Sequence, residues 1–260
     1  CVMEKLYGKK EATKILYLKK EYGFNASQLV DPSARAWSDK ELDTLIKAVS
    51  LFPKSMFPLD TNKKFLHSHP SDDSEVANAQ IMFYDKYDDF SKNKKVYTIF
   101  HELSHYIGNE MELDSSKNWI ETADWEEDFV EKMKIINRRK PAVDFTIKKP
   151  TFSSSSSFSS SLSFSNPPKK PSSLFATPSL DSIDEEMDQM MILHTAMKNK
   201  NKDNIISRYA QTNLFEDFAE SLTSYRFSPE KLKALSPKRY DFFKNKVFKG
   251  QEYISESDCK

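Results

Sequence analysis

The sequence predicts a predominantly helical α+β fold, and three observations support that prediction. Apolar residues recur at helical spacing in several segments. A residue of the kind that commonly caps helices precedes most of these segments. One short segment, 79–84, has the composition of a β-strand. Glycine is rare, at 4 of 260 residues, so a glycine-cradled nucleotide site is not expected.

The predicted elements form a series of capped helices. In the predicted helix Ser38–Leu51, the first residue can act as N-cap and Glu41 completes a capping box. A second capped helix is predicted over Ser182–Asn199. From Ser228 onward we expect two short helices, each of which begins at a Ser-Pro pair.

The best-defined helix is predicted within residues 91–109. Five apolar residues at helical spacing form one stripe, so this face should pack on a core. The stripe consists of Val96, Ile99, Phe100, Leu103 and Ile107. Ser91 is a suitable N-cap, and Gly108 and Asn109 are expected to end the helix.

This helix carries the pattern His-Glu-x-x-His at residues 101–105. Residues four apart lie on one helix face, so His101 and His105 can bind the same ion. Two histidines and a carboxylate are typical zinc ligands. The carboxylate of Glu102 can reach a water molecule at the metal and act as a general base. The pattern therefore indicates metal-assisted hydrolysis, most often of a peptide bond.

An accidental match is the main alternative for this pattern. With 5 histidines in 260 residues, random placement would produce it in roughly one of a hundred such chains. The two histidines would then lie on a surface helix and bind nothing. The amphipathic stripe, on a face different from that of the histidines, favours a metal site on a packed helix.

A catalytic zinc needs a third protein ligand, and the sequence offers two candidates. In the extended pattern H-E-x-x-H-x-x-G-x-x-H, Gly108 matches the glycine, but the last position is Met111, a poor zinc ligand in this role. The other candidate is a carboxylate on a later helix that Asn213 can cap. Glu216 and Glu220 share one face of that helix, so one could bind the metal and the other could orient an imidazole.

These segments resemble the gluzincin peptidases related to the catalytic domain of anthrax lethal factor. The resemblance covers residues 78–126 and 204–247. It is carried by His101-Glu102-Leu103-Ser104-His105, Tyr209, Thr212-Asn213, Glu216-Asp217-Phe218-Ala219-Glu220 and the segments 113–125 and 235–243. The chain departs from the family pattern in two ways: Asp217 replaces a commoner aromatic residue, and the spacing from His105 to Glu216 is longer.

The resemblance implies a zincin-like metallopeptidase domain with a small sheet. The implied zinc ligands are His101, His105 and Glu216. Glu102 would serve as general base and acid, Tyr209 would donate its hydroxyl to the developing oxyanion, and Glu220 would orient a ligand. In zincins an edge strand beside the metal helix binds extended peptide, and we assign this role to segment 79–84.

Each residue outside the His-Glu-x-x-His pattern has a structural alternative. Glu216 could complete a capping box with Asn213, and Glu220 could be a solvated helix carboxylate. Tyr209 is one of 11 tyrosines, so its position ahead of Glu216 is its main support. His194 is more simply interpreted as a packed or exposed histidine than as a ligand.

The segment 151–182 is expected to be a disordered Ser/Pro-rich insertion. Its composition cannot bury enough apolar surface to order the chain. Because the zinc site draws on residues from both sides, residues 1–150 and 183–260 are predicted to form a single peptidase domain. A long loop adds little closure entropy. The alternative is a linker between two domains.

The equal numbers of basic and acidic residues bear on which classes of partner the protein binds. Lys+Arg and Asp+Glu both number 39, so no basic excess favours nucleic acid or an anionic membrane. No apolar run approaches the length of a membrane span. We expect a monomer with a protein or peptide substrate and Zn²⁺ as cofactor.

The sequence therefore predicts a zinc-dependent endopeptidase that uses a zinc-activated water and Glu102 as general base. A secreted or translocated bacterial effector that cuts a host protein such as actin is one expectation, and a housekeeping bacterial peptidase fits equally well. The first residue, Cys1, is compatible with three explanations. It could be the lipidated cysteine of a mature lipoprotein, an artificial boundary of the chain or the start of a trimmed fragment. The alternatives from another class are a non-catalytic zinc-binding interaction protein and an interaction protein that uses the Ser-rich segment.

Overall fold

Helices dominate the part of the chain that the computed structural model describes, namely residues 2–27, 36–57, 64–67, 75–77, 80–83, 85–139 and 189–253. In chain order the helices are α1 Val2–Tyr7, α2 Lys9–Tyr22, α3 Asp39–Val49, α4 Asp85–Asp88, α5 Lys92–Glu110, α6 Lys117–Thr122, α7 Phe129–Arg139, α8 over 189–195, α9 Leu214–Phe227, α10 Pro229–Leu235 and α11 Pro237–Phe242. Short 3₁₀ turns lie at Lys54–Met56, Lys202–Asn204 and Tyr209–Gln211, and a π-helical turn at Phe243–Val247 follows α11.

Within the described residues, five short strands form two small sheets. They are β1 Lys64–His67, β2 Glu75–Ala77, β3 Gln80–Phe83, β4 Trp125–Glu127 and β5 Met197–Asn199. In the first sheet β3 lies in the centre, parallel to β1 and antiparallel to β2. In the second sheet β4 and β5 are antiparallel, with Trp125 opposite Asn199. The prediction of a predominantly helical α+β fold is confirmed.

The strand predicted over 79–84 exists, but its assignment as an exposed edge is wrong. It covers Gln80–Phe83, and the flanking residues 79 and 84 lie outside the described residues. Because β3 pairs with a strand on each side, its backbone groups are already bonded within the sheet. The partner strands are only four and three residues long, too short for the sequence to reveal them.

The predicted helix boundaries are confirmed where local capping sets them. The side chain of Glu41 accepts hydrogen bonds from the backbone N–H and the hydroxyl of Ser38, at 2.8 Å and 2.7 Å. Pro229 and Pro237 each occupy the first turn of a short helix, as the Ser-Pro pairs predict.

The helix predicted over Ser182–Asn199 is wrong at its C-terminal end. Residues 182–188 lie outside the described part, α8 covers 189–195, and Met197–Asn199 forms β5 instead. Pairing with β4 overrides the local helical pattern, because the strand gains backbone hydrogen bonds that a helix end would lack.

Aromatic side chains hold the central helix α5 against its neighbours. Phe100 stacks on Phe52 with ring centroids 4.0 Å apart and meets Phe227 of α9 edge-on at 5.3 Å. Behind α9, Trp119 packs on Phe218 at 5.2 Å. The whole predicted apolar stripe of α5 is at most 2% exposed. These contacts fix the distance and rotation between α5 and α9.

Gly108 has a packing function that the sequence did not indicate. The helix was expected to end there, but α5 continues to Glu110. A Cβ atom at Gly108 would lie 2.8 Å from Cε1 of Phe218 and 2.9 Å from Oδ2 of Asp114. The missing side chain therefore allows α9 and the chain after α5 to approach the helix backbone closely.

The described residues before and after the gap at 140–188 share one buried core, in which α5 and α9 are in contact. The predicted insertion at 151–182 lies outside the described residues, so the single-domain arrangement stays a prediction. Among the described helices, none has the length and apolar character needed to cross a membrane.

Candidate metal centre

Helix α5 presents both histidines of the pattern on one face, as predicted. The Nε2 atoms of His101 and His105 lie 3.2 Å apart, and their rings are nearly perpendicular at 86°. The His101 side chain is 9% exposed and that of His105 is 17% exposed. The site therefore lies at the edge of the core, where it is largely desolvated but still reachable from solvent.

Helix α9 brings Glu216 to the same point. Its N-terminus is fixed by Asn213, whose side-chain oxygen accepts hydrogen bonds from the N–H groups of Phe215 and Glu216 at 3.0 Å and 2.9 Å. Oε2 of Glu216 lies 3.3 Å from Nε2 of His101 and 3.2 Å from Nε2 of His105. The carboxylate faces the histidines and does not complete a capping box with Asn213, so that alternative is wrong.

The spacing of the three donor atoms suits a small metal ion. The three residues form a group whose donor atoms lie within 4.8 Å of one another. Metal–donor bonds of about 2.0–2.1 Å in a tetrahedron place neighbouring donors roughly 3.3 Å apart. The observed separations of 3.2, 3.3 and 3.2 Å are close to that value. Two imidazoles and one carboxylate therefore form a group that could hold a metal ion and is compatible with zinc.

A second carboxylate supports the first histidine. Oε1 of Glu220 lies 3.1 Å from Nδ1 of His101, on the side of the ring opposite the donor atom. The hydroxyl of Tyr97 in turn lies 3.5 Å from that carboxylate oxygen. Glu220 is not simply a solvated helix residue: its side chain is 13% exposed and it borders the ring that it was predicted to orient.

Tyr209 lies at the rim of the site. Its hydroxyl donates a hydrogen bond of 3.0 Å to Oε1 of Glu216, and its ring centroid is 5.9 Å from that of His101. The residue is 54% exposed. The carboxylate of Glu216 thus directs one oxygen to the histidines and the other to the tyrosine.

The electrostatics of the site favour a positive charge between the three donors. Burial lowers the pKa of His101, but contacts with Glu216 and Glu220 outweigh it and raise that pKa to about 10. Burial raises the pKa of Glu216, but the two histidines outweigh it and hold that pKa well below its usual value. The pKa of Glu220 is also lowered, because interactions that include His101 outweigh burial. A bound cation would supply the charge that a proton on His101 supplies in its absence.

Glu102 is a buried carboxylate beside this group. It is 6% exposed, and its charge contributes to the raised pKa of His101. Since α5 carries both residues, the helix backbone fixes Glu102 next to the donor group.

Two other candidates lie outside the donor group. Met111 is 40% exposed beyond the end of α5, so the extended pattern that ends at this residue is not formed. His194 is exposed on α8, where its ring stacks on Phe215 with centroids 4.1 Å apart. This agrees with the interpretation of His194 as a packed or exposed histidine.

Sequence reasoning missed three residues around the site. Tyr97 lies four residues before His101, so helical spacing could have revealed it. Asp114 is 3% exposed, and burial outweighs the opposing charge of His105 and raises its pKa to about 6. Arg239 on α11 pairs with Asp217 of α9. No spacing pattern in the sequence links Asp114 or Arg239 to the histidines.

Comparison of the chain with protein-family models, with curated proteins and with solved structures gives no match. The resemblance to gluzincin peptidases therefore stays a prediction that depends on the residues themselves.

Proposed function

We propose that this protein is a zinc-dependent endopeptidase of gluzincin type with a zincin-like domain. The observation that carries the proposal is the position of Glu216. It lies 111 residues after His105 in the sequence, yet its carboxylate oxygen is 3.2–3.3 Å from the donor nitrogens of both histidines. An accidental His-Glu-x-x-His pattern would have no reason to meet a third ligand of the type that catalytic zinc sites use.

Each residue of the site has a defined role in this proposal. When bound, zinc would polarise the scissile carbonyl and lower the pKa of water towards about 7. Glu102 takes a proton from the attacking water and passes it to the leaving amine. Tyr209, which is 54% exposed, would donate its hydroxyl to the oxyanion. Glu220 holds the ring of His101 so that Nε2 stays directed towards Nε2 of His105 and the carboxylate of Glu216.

A non-catalytic zinc-binding interaction protein is the second candidate. A structural zinc has four protein ligands, whereas a catalytic zinc has three and an open position. Within the described residues, the candidate group contains three donors. This count favours catalysis over a structural role.

The test is hydrolysis of a peptide library by zinc-loaded protein, with and without a chelator. Glu102→Gln should retain zinc and lose about 10²–10⁴-fold in turnover, because the general base is removed while the ligands stay. His101→Ala should lose both zinc and turnover. Glu110→Gln, an exposed position near the end of the same helix, is the matched control and should keep both. Turnover by Glu102→Gln at the wild-type rate would show that the mechanism is wrong.

The natural substrate can be found by N-terminal proteomics on a lysate treated with wild type or with Glu102→Gln. An effector should produce one dominant new N-terminus, in a host protein such as actin. A housekeeping peptidase should produce many. New N-termini that appear equally with both proteins would come from another protease.

A further inference from the structure

A buried ion pair lies next to Glu216, the proposed metal ligand on α9. Nη2 of Arg239 donates to Oδ2 of Asp217 at 2.7 Å, and both side chains are 0% exposed. Asp217 is the residue after Glu216. Burial raises the pKa of this carboxyl group, whereas Arg239 and the hydrogen bonds to it act in the opposite direction.

Asp217 has partners on both carboxylate oxygens. Nε1 of Trp125 donates to Oδ2 at 2.7 Å, and the hydroxyl of Ser221 donates to Oδ1 at 3.1 Å. Together with Arg239, these donors hold the carboxylate from three directions. Its orientation is therefore fixed by contacts with β4 and α11 as well as by its own helix.

Arg239 extends the network to two further backbone segments. It donates to the carbonyl oxygen of Ala123 at 2.9 Å and to that of Asn204. Ala123 ends α6 just before β4, and Asn204 ends the 3₁₀ turn from which the chain leads to Tyr209. One guanidinium thus joins the helix that carries Glu216 to the segment that carries Tyr209.

Because Asp217 and Glu216 are neighbours on one helix, anchoring the side chain of Asp217 also sets the direction of the Glu216 side chain. Neighbouring residues of an α-helix point about 100° apart around its axis. When Asp217 is held in the buried pair, Glu216 must point to a different face, and that face lies against α5. A small rotation of α9 would move Oε2 of Glu216 away from both histidines, because the observed separations leave little tolerance.

We propose that Asp217 and Arg239 are positioning residues that direct Glu216 towards His101 and His105 and anchor the segment that carries Tyr209. This inference rests on the proposed metal centre. Asp217 is also one of the two points at which the chain departs from the family pattern.

The rival explanation is that the pair only stabilises the fold. The two explanations can be separated, because a pair that only stabilises the fold would leave the zinc Kd of the folded protein unchanged when apolar residues of similar volume replace it. Removal of one partner alone would leave an uncompensated buried charge and would disturb folding. The informative variant is therefore the double substitution Asp217→Leu with Arg239→Met.

The experiment compares this double variant with wild type in the 260-residue chain. Thermal unfolding of the metal-free proteins measures stability, zinc titration measures Kd, and the visible absorption spectrum of the Co²⁺-substituted proteins reports ligand geometry. We expect a lower unfolding temperature, because Nε1 of Trp125 and the carbonyl oxygens of Ala123 and Asn204 lose their partners. We also expect zinc binding about 10–100-fold weaker and an altered Co²⁺ spectrum. A folded double variant with the wild-type Kd and spectrum would overturn the proposal.

Two further variants keep the test decisive. If the double variant does not fold, Arg239→Lys keeps the charge but loses the fork of donors, and it should also weaken zinc binding. An unchanged Kd would then overturn the proposal. Tyr225→Phe is the control: it removes a partly buried hydrogen bond between α9 and Gln251 and should lower the unfolding temperature without a change in Kd.

The outcomes separate this inference from the proposed function. Wild type that binds no zinc would contradict the proposed metal centre and the inference together. Wild type that binds zinc, with variants that bind it equally well, would contradict the inference alone.

Discussion

The protonation state of His101 links the acid–base chemistry of the site to metal binding. Its pKa is raised to about 10 because the contacts with Glu216 and Glu220 outweigh burial, which favours the protonated imidazole at neutral pH. A metal binds only the neutral imidazole. In the proposed metal centre, zinc and a proton would therefore compete for the same group of side chains.

This competition predicts proton release on zinc binding. Below the raised pKa of His101, zinc affinity should rise by about tenfold per pH unit, because one proton must leave for each ion bound. Calorimetric titration between pH 7 and 9 in buffers of different ionisation enthalpy measures both quantities. Glu220→Gln removes one of the carboxylates that raise this pKa, so it should reduce the release. An affinity independent of pH would contradict the assignment.

The raised pKa of Asp114 leads to a second prediction, a pH dependence of folding stability. Burial raises the pKa of this carboxyl group from 3.8 to about 6. Between those values the folded protein keeps a proton that the unfolded chain has lost, so stability should fall as pH rises. The shift of about two units corresponds to at most about 3 kcal/mol.

Urea unfolding of the metal-free protein at several pH values between 4 and 7 tests this expectation. Asp114→Asn cannot ionise at this position and should lack the decrease that wild type shows between pH 4 and 6. If the unfolding free energies of wild type and Asp114→Asn had the same pH profile, Asp114 would not titrate in this range.

At the residue scale, the sequence reveals chemistry that depends on spacing within one helix. His101, Glu102 and His105 could be predicted because helical geometry alone places them together. Asp114 could not, because its burial depends on a chain crossing at Gly108 that has no local signature. Tyr209 was found only through its position ahead of Glu216.

Among the elements, the N-terminus of α9 matters most for the site. Asn213 accepts two backbone hydrogen bonds there, one of them from the N–H of Glu216 itself. Asn213→Ala should cost about 1 kcal/mol of unfolding free energy. It should also weaken zinc binding, because the frayed first turn carries the ligand.

Ser91→Ala is the matched control for this prediction. Ser91 caps α5 through a longer contact of 3.4 Å to the N–H of Lys94, and His101 lies nearly three turns further along. Urea unfolding and zinc titration of both variants should show a stability loss in each and a weaker Kd only for Asn213→Ala. Equal Kd values in the two variants would contradict the link between the cap and the site.

Elements were predictable where local chemistry sets them. The apolar stripe and Ser91 predicted α5, and the Ser38–Glu41 pair predicted α3. Predictions were wrong where distant partners decide the structure. Met197–Asn199 is a strand because β4 pairs with it, and β3 is central because two very short strands flank it.

For the whole molecule, the central feature is that residues far apart in sequence form one site. The histidines precede the gap at 140–188, and Glu216 follows it. Zinc would therefore tie α5 to α9, and its binding would add to the free energy of unfolding. The helix face shared by Glu216 and Glu220 made both of them candidate partners of the histidines, and the resemblance to a known pattern implied that Glu216 is the ligand.

The buried pair of Asp217 and Arg239 shows why the rest of the molecule was not predictable. In the sequence both residues have the appearance of solvated helix charges, since Asp and Arg are mostly exposed in proteins. Their burial depends on α6, β4 and α11 meeting behind α9, and that arrangement is set by tertiary packing of Trp119 and its aromatic neighbours.

X-ray absorption at the zinc edge of the purified, zinc-loaded protein tests the central claim most directly. A four-coordinate zinc with two imidazoles, two further oxygen donors and no sulfur is the predicted result, with one of those oxygens lost in Glu216→Ala. A sulfur donor, a third imidazole or a spectrum unchanged by Glu216→Ala would contradict the assigned metal centre.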